Sequence, residues 1–280
     1  MSVTRIETLR RDPYAIYAEY ILGLKPLEAV EHDIGPRETG IAWHAALQEF
    51  VETYPSGALP PQARDDLLSI AGARFALLRD DPAFAALNWP NIKKSLDFFL
   101  AFERDSRDGT ERIWVERPGV VPVPLASGMP FKLSAQADRI DLLRSGGARL
   151  IDYKSGTAPI AKEVKTGFAP QLTLEAAMLK REAFEGLPQL EAKEALYLKL
   201  GGAGGGEVKH AGGKSEKILE LAEQHFAGLQ TLLDAFDCED TPYLSRPFPK
   251  FVPRFSDYDH LARIKEWSAT GGESDAGDTP

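Results

Sequence analysis

The sequence changes from a helical to a β-strand pattern near residue 111, and this change restricts the possible folds more than any other feature. Two segments, 112–123 (RIWVERPGVVPV) and 129–143 (MPFKLSAQADRIDLL), are rich in the β-branched and aromatic residues that favour strands. A Ser-Gly-Gly turn at 145–147 then leads into a short strand-like segment, RLIDYK, at 149–154. The three segments therefore predict an antiparallel meander of three strands.

The residues before the meander have helical periodicity. Thr4 and Glu7 have the spacing of a capping box, and Pro13 permits a new first turn followed by a bulky apolar set that includes Tyr20 and Ile21. Two more amphipathic helices are predicted at 61–80 and 91–105. The pattern also predicts a helix over about 36–54, whose inward-facing residues are Ile41, Ala45, Leu47 and Phe50.

After the meander, the pattern predicts a helix at 170–183, a fourth strand at 194–200 and an amphipathic helix at 215–236. The glycine-rich stretch 201–214 between the last two is predicted to be a flexible loop. This order of elements favours one α+β fold, with a central mixed sheet of about four strands flanked by helices and a helical N-terminal layer.

Composition and charge exclude several classes of protein. The 280 residues are 43% hydrophobic and 27% charged, which excludes collagen-like and fully disordered chains. No apolar run approaches the ~18 residues that a membrane span needs, and the N-terminus lacks the apolar region of a secretory signal. We therefore expect a cytoplasmic protein with no membrane partner. The net charge of −9 argues only weakly against a nucleic-acid binder, because local charge matters more than the total.

The most informative residues lie between Asp138 and Lys154. Strand alternation places Asp138 with core-facing neighbours, and Asp152 on one face with Leu150 and Lys154. Buried carboxylates usually pair with a cation or bind a metal, and oxygen ligands suit Mg²⁺ or Mn²⁺. A metal held there could polarise a phosphoryl oxygen beside the Lys154 ammonium. A surface salt bridge is the alternative interpretation of each motif alone, and Arg139 could pair simply with Asp141.

Taken together, these motifs resemble those of a known family. The set consists of Gly40-x-x-x-His44, Asp138 in ADRID, Asp152-Tyr153-Lys154 in LIDYKSG, and Gln171. It resembles the PD-(D/E)XK nuclease superfamily in its RecB-like branch, and most closely the C-terminal nuclease domain of AddB-type helicase–nuclease subunits. The resemblance covers residues 2–267 and implies a restriction-endonuclease-like core.

The resemblance implies a role for each matching residue. Asp138, Asp152, His44 and the backbone carbonyl of Tyr153 would bind Mg²⁺ or Mn²⁺. Lys154 would orient the attacking water or stabilise the transition state. Glu116 could be a further acid near the site or an ordinary exposed strand glutamate, and the sequence favours the second interpretation.

Other residues would hold DNA. Gln171 occupies the first position of the family's Gln-x-x-x-Tyr motif, but Glu175 replaces the tyrosine, so aromatic stacking there is not expected. Basic residues close to the site in sequence are candidates for phosphate contacts: Arg139, Lys162, Lys165 and Lys180.

The implied function is a metal-dependent deoxyribonuclease, with exonuclease action, that processes double-strand breaks together with a helicase–nuclease partner subunit of the AddA type. Cys238 is the single cysteine, so no iron–sulfur cluster is expected. The alternatives are an inactive scaffold of the same fold that binds DNA or a helicase, and a stand-alone nuclease. We expect one nuclease domain over 1–268, with a helical layer (1–110), a catalytic core (111–240) and a C-terminal packing segment (241–268), followed by a disordered acidic tail (269–280).

Overall fold

A computed structural model describes residues 1–26, 35–202, 204–214, 217–251, 256–264 and 266. Seven α-helices precede the first strand in this part of the chain: α1 Val3–Arg11, α2 Pro13–Ile16, α3 Pro36–Thr53, α4 Ala63–Arg74, α5 Ala76–Arg79, α6 Pro82–Leu87 and α7 Trp89–Arg107. Three more follow later, α8 Ala161–Lys165, α9 Gln171–Leu179 and α10 Ile218–Phe236. A π-helical turn spans Tyr17–Ile21 and a 3₁₀ turn spans Pro249–Phe251. None of the described helices is long and apolar enough to cross a bilayer.

The strands form one mixed sheet in chain order, β1-β2-β3-β4-β5. Neighbouring strands are antiparallel except for β3 and β4, which are parallel and are connected through α8 and α9. The α+β class and the three-stranded meander are thereby confirmed. The strands are β1 Thr110–Pro124, β2 Pro130–Leu143, β3 Ala148–Lys154, β4 Ala192–Leu200 and β5 Gly206–His210.

The structure adds a fifth strand to the predicted sheet of about four, and it corrects the prediction of a flexible loop at 201–214, because β5 lies inside that segment. It pairs with β4 along the edge of the sheet, from Leu200 opposite Gly206 to Leu196 opposite His210. Its side chains are mostly exposed or half-buried, so the hydrophobic pattern of a buried strand is missing. Gly206 also lies against the Phe98 ring, where a Cβ atom would clash with the ring carbons. A glycine at position 206 is therefore explained by close packing against Phe98 and not by a need for a flexible chain.

The sheet divides the apolar side chains between two core layers. Successive residues of β1 and β3 alternate between these layers, as the pleat of a strand requires. One layer packs Ile140 and Leu150 against α1, α9 and α10, and the other packs Ile113 and Ile151 against α3, α4 and α7. The site is thus held by a rigid sheet that is covered on both faces.

Three residues predicted to point inward or to belong to an apolar helical face are exposed. In α3, Leu47 and Phe50 are buried as predicted, but the buried face continues through Trp43, which leaves Ile41 61% exposed. Tyr20 and Ile21 are also exposed, because the chain widens into the π-helical turn and rotates them outward. The predicted acidic tail at 269–280 lies outside the described residues.

A buried charge network crosses one core layer. Arg139 on β2 is fully buried, donates to Asp141 Oδ1 at 2.6 Å, and forms an ion pair with Glu103 of α7. Glu103 also accepts a hydrogen bond of 2.9 Å from Arg107. Each buried charge therefore has an opposite partner, which is the condition under which charges are tolerated in a core.

We predict that Glu103→Ala lowers the free energy of unfolding by about 3–5 kcal/mol, because it leaves Arg139 buried beside fewer opposite charges. Urea denaturation measures the change. Asp97→Ala is the control, since Asp97 lies on α7 like Glu103 but forms only an exposed ion pair, with Arg64 of α4, and its loss should cost far less. Equal destabilisation by the two variants would contradict this account of the network.

Candidate active site

The site forms where the strands separate around Asp138. The antiparallel pairing of β2 with β3 ends at Arg139 opposite Ile151, so Asp138 and Asp152 occupy the next facing positions. The Tyr153 backbone N–H donates to Asp138 Oδ2 at 2.8 Å and so replaces a ladder hydrogen bond with a side-chain one. This contact fixes the Asp138 carboxylate in the opening between the two strands.

Pairing is also interrupted on the other side of Asp138. On β1, Val115 pairs with Arg139 and Arg117 pairs with Ala137, but the intervening Glu116 does not pair. Glu116 has a φ of 49°, in the left-handed region that is uncommon for residues other than glycine. Such local strain is frequently found at functional sites. Here it accompanies a glutamate that faces the buried aspartate.

His44, Glu116 and Asp138 form a cluster with the geometry of a metal site. Their ligand atoms all lie within 4.8 Å of one another, the one such group of three among the described residues. His44 Nδ1 lies 3.6 Å from Asp138 Oδ2 and 3.9 Å from Glu116 Oε1. Gln136 donates to Glu116 Oε2 at 2.7 Å, which helps to fix the carboxylate. Helix α3 therefore supplies an imidazole to two strand carboxylates.

Asp152 belongs to a second cluster, which adjoins the first. It is 2% exposed and contacts the Lys154 ammonium through both oxygens, at 2.9 Å and 2.8 Å. Gln171, the first residue of α9, donates to Asp152 Oδ1 at 2.7 Å and lies 3.3 Å from Lys154 Nζ through its own oxygen. Asp152 Oδ2 accepts no hydrogen bond of good geometry in the described structure, so it keeps lone pairs for another cation.

The site carries more negative charge than its bases neutralise. Burial, together with the charge of Asp152, raises the pKa of Asp138 to about 7, although His44 opposes this shift. The neighbouring Glu116 carboxylate raises the pKa of His44 above its usual value, against the effect of burial. Burial raises the pKa of Glu175 strongly as well, and the charge of Asp152 adds to that shift. A divalent cation would relieve this repulsion.

The donor set therefore fits a divalent metal ion. Carboxylate oxygens with one imidazole suit Mn²⁺ and tolerate Mg²⁺. His44, Glu116 and Asp138 would hold the ion, and Asp152, which the sequence predicted as a ligand, lies outside this group of three among the described residues. The Tyr153 carbonyl stays a predicted ligand.

From the sequence, Glu116 was more consistent with an ordinary exposed strand residue than with an acid of the site. Its position beside His44 and Asp138 favours the second of these roles. The side chain is 21% exposed and turned toward the site. Sequence reasoning could have found it only through the strand pairing, which places Glu116 directly opposite Asp138.

Arg139 was predicted to contact DNA, and the structure contradicts this. Because neighbouring strand residues point to opposite faces, Arg139 points away from Asp138 into the buried charge network and is 0% exposed. Lys162 and Lys165 of α8 are exposed and follow the site strand β3. Lys180 lies after α9 and forms an ion pair with Glu223 at 3.4 Å.

Glu175 is 2% exposed and contacts Gln171 at 3.3 Å, below the site. A buried carboxyl cannot stack on a base. Its contact instead steadies the Gln171 amide, which in turn bonds Asp152.

Comparison with known proteins identifies the class to which this fold and site belong. The family model of the PD-(D/E)XK nuclease superfamily matches residues 1–246. The chain therefore belongs to the PD-(D/E)XK nuclease superfamily, and its mixed sheet with flanking helices is the restriction-endonuclease-like fold of that superfamily.

Individual relatives are more distant. An uncharacterized protein of Rickettsia bellii is 31% identical over 185 residues, and one of Rickettsia conorii is 28% identical over 187; each match covers 66% of this chain and 22% of the relative. An ATP-dependent helicase/deoxyribonuclease subunit of Clostridium acetobutylicum is 27% identical over 197 residues, covering 62% of this chain and 17% of that protein. The chain thus spans about a fifth of the length of the curated relatives that it matches.

We predict that Asp138→Asn stabilises the metal-free protein at pH 8 by about 2–4 kcal/mol. The folded-state pKa near 7 exceeds the unfolded value of 3.8, so ionisation penalises folding as pH rises from about 4 to 7. The gain should therefore be full above pH 7 and smaller at pH 5. Urea denaturation in EDTA at both pH values measures it, with the exposed Asp105→Asn as control. A gain that is equal at both pH values would contradict the assigned pKa.

Proposed function

We propose that this protein is a deoxyribonuclease that uses Mg²⁺ or Mn²⁺ to hydrolyse phosphodiester bonds. The observation that carries the proposal is the His44–Glu116–Asp138 cluster, which adjoins the ion pair of Asp152 with Lys154. Membership of the superfamily supports it, because the superfamily is one of nucleases. The retention of both aspartates and the lysine argues against the alternative, an inactive scaffold of the same fold.

The metal, when bound, would neutralise charge on the phosphate and lower the pKa of a bound water. The chain's own residues have separable tasks. His44, Glu116 and Asp138 would hold the ion, and Asp152 would share it while fixing Lys154. The Lys154 ammonium would orient the water or stabilise the negative charge that develops on the phosphate oxygens. Gln171 would keep the Asp152–Lys154 pair in place through its two hydrogen bonds.

The proposed substrate is a DNA strand held by its backbone. Lys162 and Lys165 lie on the helix that follows β3, where they could contact phosphates on either side of the scissile bond. Contacts of this kind provide affinity without sequence information. With a net charge of −9, we expect weak, salt-sensitive binding by the isolated chain.

The relatives named as helicase/deoxyribonuclease subunits suggest a broader setting. We propose that the chain acts as an exonuclease in the processing of double-strand breaks, together with a helicase–nuclease partner of the AddA type that supplies single strands and much of the DNA channel. The boundaries of one nuclease domain over 1–268 are part of this proposal.

We predict that end-labelled DNA is cleaved with Mg²⁺ or Mn²⁺ and not in EDTA, and that Asp152→Asn lowers the rate at least about 100-fold, because the variant loses the carboxylate that fixes Lys154. Gel assays on single- and double-stranded DNA measure it, with Asp105→Asn as control. If Asp152→Asn still cleaves DNA at the wild-type rate, the proposed position of the active site is wrong. No cleavage together with no metal binding by calorimetry would favour the scaffold.

We predict that Glu116→Gln weakens Mn²⁺ binding by about tenfold or more, because affinity for hard cations depends on the number of charged oxygen ligands. Isothermal titration calorimetry gives the dissociation constant. The matched control is Glu111→Gln, an exposed glutamate of the same strand. Unchanged Mn²⁺ affinity in Glu116→Gln would remove this residue from the proposed ligands.

A further inference from the structure

A cleft of about 420 Å³ lies beside the proposed catalytic cluster, between α1 and the ends of the central strands. It shares Lys154 and Gln171 with that cluster, so any molecule in the cleft lies next to the reacting groups. Thr4 and Thr8 of α1 contribute hydroxyl groups to its wall, and Thr157 contributes one from the loop after β3. A volume near 400 Å³ is within the usual range for sites that bind small organic molecules.

Tyr197 of β4 lines this cleft and has an unusual environment. It pairs with Asp152 across the parallel strands, and the side chains of paired residues lie on the same face of a parallel sheet. The residue is 1% exposed, and its hydroxyl has no hydrogen-bond partner in the described structure. An unpaired buried hydroxyl is costly, and a ligand that accepts a hydrogen bond from it would remove this cost.

The charges of the cleft describe the kind of molecule that would fit. The basic groups that line it are Arg5, Arg11 and Lys154, and the acidic groups are Glu7, Asp12 and Asp257. Both arginines are already in ion pairs, Arg5 with Glu19 at 2.8 Å and Arg11 with Glu7 at 3.0 Å. This balance leaves no excess positive charge for a second phosphate. The cleft therefore suits a neutral chemical group that carries hydrogen-bond acceptors.

We propose that this cleft binds the nucleoside next to the scissile phosphate, and that the Tyr197 hydroxyl donates a hydrogen bond to its base. The inference rests on the proposed nuclease function and adds to it a substrate subsite that is separate from the metal ligands. Tyr197 would supply a hydroxyl from β4, and Gln171, the first residue of α9, lines the same cleft.

Two measurements on Tyr197→Phe test the proposal. The first is the affinity for a fluorescein-labelled oligonucleotide by anisotropy in Ca²⁺, and the second is the melting temperature. We expect affinity to fall about 5- to 10-fold, because one hydrogen bond to DNA is lost, and the melting temperature to stay equal or rise, because an unpaired buried hydroxyl is removed. The control is Tyr243→Phe, a half-buried tyrosine that packs on Phe236 away from the cleft.

A modified substrate gives a second readout. Oligonucleotides that carry an abasic residue on one or the other side of the scissile bond should bind the wild type more weakly at one of the two positions. Tyr197→Phe should show no further loss at that position, because the contact is already missing. Affinity of Tyr197→Phe equal to wild type, or a lowered melting temperature with unchanged affinity, would overturn the subsite. Absence of metal-dependent cleavage by the wild type, together with absence of metal binding by calorimetry, would instead refute the proposed function itself.

Discussion

The burial of carboxylates where β2 and β3 separate is the constraint on which the rest of the site depends. Asp138 would repel Asp152 across this opening, and burial weakens the solvation of both. The Tyr153 N–H, the His44 imidazole and the Lys154 ammonium each offset part of this cost. These three groups do not remove the whole cost, because the pKa of Asp138 is still raised. The site would be stabilised by further positive charge, which a divalent cation can supply.

A rigid support is needed to hold like charges together, and the buried charge network beside the site provides it. Arg139 is adjacent to Asp138 in sequence, yet it serves the fold by joining Glu103 and Asp141 in the core. One strand therefore carries a buried charge network at Arg139 and a proposed metal ligand at Asp138. A metal site needs ligands placed within fractions of an ångström, which a strand packed on both faces can provide.

The two sides of the proposed active site differ in what they can recognise. The metal cluster faces α3, and Gln171 and Tyr197 face the cleft beside α1; Lys154, which pairs with Asp152 and also lines the cleft, serves both sides. The charged oxygens of a scissile phosphate would belong to the first side, and the neutral remainder of a nucleotide to the second. This division explains how an acidic chain could act on a polyanion, since positive charge is needed only where the phosphate lies.

The sequence by itself determined the α+β class, the meander and the placement of Asp138, Asp152 and Lys154 near one another, because strand alternation and local spacing are properties of neighbouring residues. It did not identify β5, whose pairing depends on backbone hydrogen bonds, and it misplaced Arg139, whose partner Glu103 lies 36 residues away. Only the tertiary structure brought Glu116 beside His44 and left Tyr197 unpaired next to a cleft. These contacts are between residues far apart in the sequence, and a local sequence pattern does not determine which distant side chains come into contact.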